Sequence, residues 1–253
     1  MQLANALADE ARAVARRGFR RRLAVDRKAD ATPVTAIDRE IERRLRERIA
    51  TQRPGDGVLG EEHGCDGAGR ARVWIIDPID GTKSFITGSP LFGSLVALVQ
   101  DGEPVLGVIE MPALHERFIG AGGSTTLAGR RCAASNRADL ARASCSTTEP
   151  GSLGALDAAL DRAVALRRYS ADCYAYCQLA LGCIDLVVEI GLKPYDFLPL
   201  VPVVRGAGGV ISDWAGEPLR IDSAGDVLAA ATPELHARAL ALIATHADAD
   251  ARL

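Results

Sequence analysis

Apolar positions along this chain recur with two different periods. Leu3, Leu7, Val14 and Phe19, set among alanines and charges over residues 2–22, fit one face of an amphipathic helix until the arginine-rich run 16–22 breaks the stripe. Ile37, Ile41, Leu45 and Ile49 then recur every four residues, which predicts a second helix with Thr35 as its N-cap, after a polar, proline-containing loop over 28–35. From there the runs shorten. Residues 57–60 read as a short strand, 64–70 as a glycine-rich connector, and 73–76 as a buried strand. The runs 92–99 and 104–110 flank Gln100-Asp-Gly-Glu103, a hairpin signal, because Asp-Gly supplies the positive φ of a tight turn. Further short runs at 117–121, 125–127 and 130–133 are separated by Gly122-Gly123 and Ala128-Gly129.

Beyond Ser135 strands and helices alternate. The pattern predicts a strand at 144–148, helices at 152–166 and 172–182, a strand at 185–189, and a helix from Asp196 to Arg205 that Gly208-Gly209 stops. Pro199 suits the first turn of that helix, whereas Pro202 falls deeper and predicts a kink. Short strands at 210–212 and 227–231 and a closing helix at 233–245 complete the chain. We divide it into residues 1–134, helices plus an antiparallel-rich sheet, and residues 135–253, an α/β part. Together they predict an α+β protein of stacked layers.

Composition narrows the function by exclusion. At 253 residues and 48% hydrophobic content the chain can bury a substantial core. With 30 basic against 33 acidic residues and a net charge of −3, it has no footprint for nucleic acid. No apolar run approaches the roughly 20 residues that cross a bilayer. The N-terminus lacks a signal-peptide core, and Asp9 and Glu10 are out of place in a transit peptide, so a cytoplasmic protein without membrane contact is expected. The cysteines at 65, 132, 145, 173, 177 and 183 form no C-x-x-C pair, and the histidines at 63, 115, 236 and 246 are scattered. The chemistry therefore rests on carboxylates.

The stretch that carries candidate chemistry follows the strand at 73–76. Asp77 and Asp80 bracket Pro78, and Gly81, Thr82, Lys83 and Ser84 come next, a stretch expected to turn out of the strand into a loop or first helical turn. Two carboxylates beside a glycine that admits close main-chain approach suit a hard divalent cation shared with phosphate. On residues alone, a capped helix start with two surface aspartates fits equally well. Asp38 reads on its own as a first-turn carboxylate stabilised by the helix dipole, and Glu61 and Glu62 as exposed residues at a strand end.

Asp77-Pro-Ile-Asp-Gly-Thr82 resembles the first signature of the inositol monophosphatase family of Mg2+-dependent phosphatases. Gly60-Glu61-Glu62, Thr35-Ala36-Ile37-Asp38, Tyr195-Asp196 and Gly206-Ala207-Gly208-Gly209 stand in the family's order across nearly the whole chain. The resemblance implies a five-layer αβαβα sandwich, a homodimer, and two or three Mg2+ ions per site. Glu61, Asp77 and the Ile79 carbonyl would hold one ion, and Asp77, Asp80 and Asp196 a second. Thr82, paired with Asp38, would orient the attacking water, with Glu61 also serving catalysis through its metal. The Gly81 and Thr82 amides would receive phosphate oxygens. Asp172, Glu189 and Ser152 would face the leaving group of a small phosphate monoester.

Within the family, Ser170-Ala-Asp172-Cys-Tyr-Ala-Tyr176 and Gly191-Leu-Lys-Pro-Tyr-Asp196 look like the histidinol-phosphate phosphatase branch. Histidinol phosphate carries an amine and a titratable imidazole, which an added carboxylate would favour. The alternatives are an inositol-1-monophosphatase or a broader sugar-phosphate phosphatase. Asp172 also reads simply as the cap of the helix predicted to begin there.

Overall fold

The computed structural model describes residues 1–22, 24–27, 33–67 and 69–250. In chain order the elements are α1 (Gln2–Gly18), β1 (Val25–Arg27), β2 (Pro33–Thr35), α2 (Ala36–Gln52), β3 (Gly57–Gly60), β4 (Gly64–Asp66), β5 (Arg72–Asp80), α3 (Thr82–Thr87), β6 (Gly93–Gln100), β7 (Glu103–Met111), β8 (Glu116–Ala121), β9 (Ser124–Leu127) and β10 (Arg130–Arg131). There follow β11 (Ser144–Thr147), α4 (Ala155–Ala163), β12 (Leu166–Tyr169), α5 (Tyr174–Ala180), β13 (Leu186–Glu189), α6 (Pro194–Phe197), α7 (Leu200–Gly206), β14 (Val210–Ser212), β15 (Val227–Ala230) and α8 (Pro233–Asp250).

Alternation of side chains along β5 builds three of the layers at once. Trp74 and Ile76 point to the face covered by α1 and α2, where they meet Leu7, Val14, Ile41, Leu45 and Ile49. Val73 and Ile75 point to the other face and meet α5, α6 and α7 through Tyr176, Phe197, Val201 and Val203. A strand buried on both faces needs a continuous apolar run rather than an alternating one, which is why 73–76 is apolar throughout. Each such side chain contributes about 1.5 to 3 kcal/mol on burial.

The first sheet has eight strands in the order β10-β9-β8-β7-β6-β5-β3-β4, with only β3 and β5 parallel. The hairpin at 100–103 forms as the sequence predicts, with Asp101 and Gly102 at φ 51° and 85°. The second sheet has five strands in the order β12-β11-β13-β15-β14. One face of it closes the central layer through Val187, Val227 and Ala229, and the other packs on α4 and α8 through Leu156, Leu160, Leu235 and Ile243. The result is the αβαβα sandwich. All six cysteines are free, and no helix among the described residues is long and apolar enough to cross a membrane.

Five local expectations are corrected. Part of the polar loop at 28–35 is strand: Pro33–Thr35 pairs with Val25–Arg27, while residues 28–32 lie outside the described residues. The connector at 64–70 begins with β4, paired to β3 (Ala68 is outside the described residues). The strand at 73–76 runs on to Asp80, because Asp77 still pairs with Leu95 and Asp80 with Gly93. A register shift between those pairs accommodates Pro78, which has no N–H to give, and its carbonyl accepts the Ser94 hydroxyl at 2.6 Å. The helix predicted at 152–166 is shorter, Ala155–Ala163, and Leu166 opens the edge strand β12, whose Arg167 and Arg168 hid it from hydrophobic periodicity.

The last correction concerns Pro202. No kinked helix runs from Asp196 to Arg205. The chain divides into α6 and α7 around Leu198-Pro199, so Pro202 falls in the first turn of α7, where a missing N–H costs nothing. Helix α7 rests with its main chain on the first sheet at Gly107 and Gly120, neighbours across β7 and β8. A Cβ at Gly107 would lie 2.0 Å from the Pro199 carbonyl oxygen, and one at Gly120 would lie 2.3 Å from that of Pro202.

Candidate active site

The end of β5 and the first turn of α6 converge. Ligand oxygens of Asp77, Asp80 and Asp196 all lie within 4.8 Å of one another. Asp77 is buried, 1% exposed, and its Oδ1 has no hydrogen-bond partner among the described residues. Asp80 Oδ2 accepts the Cys173 N–H at 2.7 Å, and Asp196 Oδ2 accepts the Lys193 N–H at 2.7 Å. Glu61 follows β3 directly, and its own N–H reaches the Ile76 carbonyl at 3.3 Å, which seats it beside the strand that carries Asp77.

Crowding shows in the proton affinities. Burial, and then the charges of Glu61, Asp80 and Asp196, hold the Asp77 carboxyl well above the usual carboxylate range. Burial followed by repulsion from Asp196 pushes Asp80 up to about 7, and burial, opposed by the Lys193 N–H, then Glu61 push Asp196 up to about 7. Carboxylates gathered in a poorly solvated corner, with a buried oxygen that has no hydrogen-bond partner among the described residues, suit a bound cation, whose charge would offset their repulsion. All the donors are hard oxygens, so the residues present fit a divalent ion such as Mg2+.

Gly81 and Thr82 begin the next helix. Gly81 takes φ 77°, and a Cβ there would sit 2.9 Å from Asp172 Oδ2 and 3.1 Å from the Leu91 carbonyl oxygen, so both backbone angle and space demand glycine. The Thr82 hydroxyl donates to the Ile79 carbonyl at 3.1 Å. Asp38, expected as the partner of Thr82, bonds elsewhere: its Oδ2 accepts the Thr35 N–H at 2.9 Å and the Thr35 hydroxyl at 2.5 Å. That is the capping box of α2, which claims one oxygen for the helix start. Asp38 Oδ1 is buried without a hydrogen-bond partner among the described residues, and burial, opposed by the Thr35 bonds, raises the proton affinity of this carboxyl.

A pocket of about 120 Å³ opens beside the cluster. Asp80 and Asp196 line it together with Asp172, Glu189 and Ser152, so the three residues expected to face a leaving group are brought to one cavity. Asp172 is not the cap of a helix: α5 starts at Tyr174, and Asp172, at φ 47°, accepts the Ser84 hydroxyl at 3.2 Å instead. Burial and the charge of Asp80 push its carboxyl to about 7. Glu189 ends β13; its Oε1 accepts the Thr148 N–H and hydroxyl, both at 2.8 Å, and burial pushes this carboxyl to about 8. Ser152 donates to the Glu149 carbonyl at 2.8 Å.

Sequence reasoning missed Thr148, Glu149, Tyr176, Ile190 and Leu192 in the same wall. Glu149 carried a signal, since Pro150-Gly151 announces a turn after the strand at 144–148. Its carboxylate pairs with Lys83 of α3. Tyr176 stands four residues beyond Asp172, and its hydroxyl is buried without a partner among the described residues.

Known proteins resemble this chain along most of its length. The model of the inositol monophosphatase family matches residues 1–248. A bifunctional phosphatase of Arabidopsis thaliana, IMPL2, is 41% identical over 257 residues, covering 96% of this chain and 74% of that protein. A histidinol-phosphatase of Mycobacterium tuberculosis is 39% identical over 229 residues, 85% of this chain and 88% of that one. Among solved structures, an inositol monophosphatase from Zymomonas mobilis superposes with a TM-score of 0.87 at 41% identity, covering 96% of each chain.

Proposed function

The chain belongs to the inositol monophosphatase family, and from that premise we propose that it is a Mg2+-dependent phosphomonoesterase acting on L-histidinol phosphate to give L-histidinol and phosphate. Hydrolysis of phosphate monoesters is the family's reaction. The choice of substrate rests on one observation: Glu149, Asp172 and Glu189 line the pocket beside the metal-type cluster, and among the described residues none that lines it is basic. An ammonium or imidazolium finds charge-assisted acceptors there, whereas the hydroxyls of an inositol gain only neutral hydrogen bonds. The activity in the name of the Mycobacterium tuberculosis relative supports the same reading.

Asp77, Asp80 and Asp196, with Glu61 and the Ile79 carbonyl, would hold the metal. Mg2+ bound there supplies water activation near neutral pH and neutralises charge on the phosphoryl group. The protein's own part is placement. The Gly81 and Thr82 amides receive phosphate oxygens, and the Thr82 hydroxyl and Asp38 Oδ1 orient the attacking water. Asp172 and Glu189 hold the cationic end of the leaving group, which sets the ester bond in line for displacement. No phosphorylated side chain is needed.

Release of phosphate from histidinol phosphate, inositol 1-phosphate and a neutral aryl phosphate, in EDTA and after Mg2+ is restored, tests both levels. We expect no turnover in EDTA and a preference for histidinol phosphate of at least about 10-fold in kcat/KM, the equivalent of one charge-assisted hydrogen bond. Equal turnover of histidinol phosphate and inositol 1-phosphate removes the substrate assignment in favour of an inositol-1-monophosphatase or a broader sugar-phosphate phosphatase. Turnover undiminished by EDTA removes the metal.

A further inference from the structure

Glu42 takes no part in the chemistry above, yet it is completely buried. It lies one turn beyond Asp38 on α2. Its Oε2 accepts the Glu62 N–H at 2.6 Å, and its Oε1 accepts the His63 N–H at 3.1 Å and Arg46 Nε at 2.7 Å. Arg46, four residues on, reaches the far end of the same turn, donating to the Gly64 carbonyl and to the Asp66 carboxylate. The helix approaches so closely that a Cβ at Gly60 would sit 2.1 Å from Glu42 Oε1. From the other side, β5 holds the turn through the Glu61 N–H on the Ile76 carbonyl.

We propose that Glu42 and Arg46 are positioning residues that clamp the turn after Gly60 and so hold the Glu61 carboxylate beside Asp77. The anion takes the N–H groups of the turn and the cation takes its carbonyl end. An i,i+4 ion pair kept only to stabilise a helix does so weakly and on the surface. Burying one costs more than it returns unless its remaining bonds are made, and here they are made to the main chain of this turn. One helix thereby fixes both Asp38, in its first turn, and Glu61, one strand away. The inference rests on the reading of Glu61 as a metal ligand.

The test measures Mn2+ affinity by electron paramagnetic resonance in the purified full-length wild type, Glu42→Gln and Arg46→Gln, with melting temperatures alongside. In Glu42→Gln an NH2 replaces one acceptor oxygen and faces donors, so the turn must shift. We expect its Mn2+ Kd to rise by about 10- to 100-fold, the usual effect of losing an outer partner of a metal ligand, with a smaller rise of about 3- to 10-fold in Arg46→Gln. The Mg2+ concentration for half-maximal activity should rise in step, while kcat at saturating Mg2+ stays within about 3-fold of wild type. Mn2+ affinity within about 2-fold of wild type in both variants, whatever their melting temperatures, overturns the clamp. If Glu42→Gln does not fold, Arg46→Gln decides by the same criterion. A wild type that binds no Mn2+ overturns instead the metal reading on which the clamp depends.

Discussion

Asp77 and Asp80 stand on a nine-residue strand inside an eight-stranded sheet, while Glu149, Ser152 and Asp172 face the same pocket from turns that flank the strands and helices of the second sheet. The first group is held by ladder pairing to β3 and β6 and by helices packed on both faces. The second is held by local bonds instead of a ladder: the Ser84 hydroxyl on Asp172, whose carbonyl accepts the Ala175 N–H, the Ser152 hydroxyl and N–H on the Glu149 carbonyl, and Lys83 on the Glu149 carboxylate. Rigid elements suit ligands that must keep their distances, and turns suit contacts that distinguish one leaving group from another. Changes to the strand should therefore damage every substrate alike. Changes to the turns should damage one substrate selectively.

The largest effect should come from Asp80→Asn. Loss of one hard-cation ligand and its charge is expected to reduce kcat/KM by about 1,000-fold on every phosphate ester, because metal stabilisation amounts to several kcal/mol. Retention of more than about a tenth of the activity on any ester breaks the comparison at its rigid side. Next comes Thr82→Ala, which should lower kcat by about 100-fold on all esters with little change in melting temperature. An equal fall in stability and activity would make Thr82 a structural residue of the α3 start.

Asp172→Ala tests the turn side. It should lower kcat/KM for histidinol phosphate by about 10- to 150-fold, the equivalent of a charge-assisted bond, and barely alter a neutral aryl phosphate. An equal loss on both esters abolishes the distinction between the two walls. The smallest effect concerns Glu189. Its carboxyl rises from 4.5 unfolded to about 8 folded, so the protonated form is the one the fold favours. Its contribution to stability is complete below about pH 4.5 and is lost as the pH climbs to about 8. In metal-free protein, Glu189→Gln should gain in melting temperature relative to wild type across that window, by at least about 3 °C between pH 5 and pH 9. A difference independent of pH would mean that Glu189 is already charged in the free pocket.

Local rules carried α2 and the hairpin at Asp101-Gly102, because a four-residue apolar repeat and a two-residue turn are written within a few positions of one another. The acidic cluster of Asp77, Asp80 and Asp196 was legible as a motif, not as a shape. That Asp80 would accept the N–H of Cys173, 93 residues away, or that Asp172 would lie against Gly81, depends on contacts between the two sheets that no window of sequence contains. Glu42 was hidden for the same reason. On a helix rich in Glu and Arg it looks like one more solvated charge, and only its burial against Gly60 separates it from Glu40 and Glu47. The position of Pro202 misled because helix breaks are set by packing as well as by proline, and here the break fell three residues earlier.

Helix α7 sits with its main chain directly on β7 and β8, at Gly107 and Gly120, and Asp196 is only three residues before Pro199. Where a helix meets a sheet through side chains, the two can slide by small rotamer changes, the shear that opens and closes many clefts. Backbone lying on backbone leaves no such lubricating layer. Sliding of α7 along the first sheet is thus opposed at these two glycines, and with it any change in the spacing between Asp196 and the pair Asp77 and Asp80. The turns at 148–154 and 170–173, which carry Glu149, Ser152 and Asp172 to the same pocket, have no such backbone seat on the first sheet.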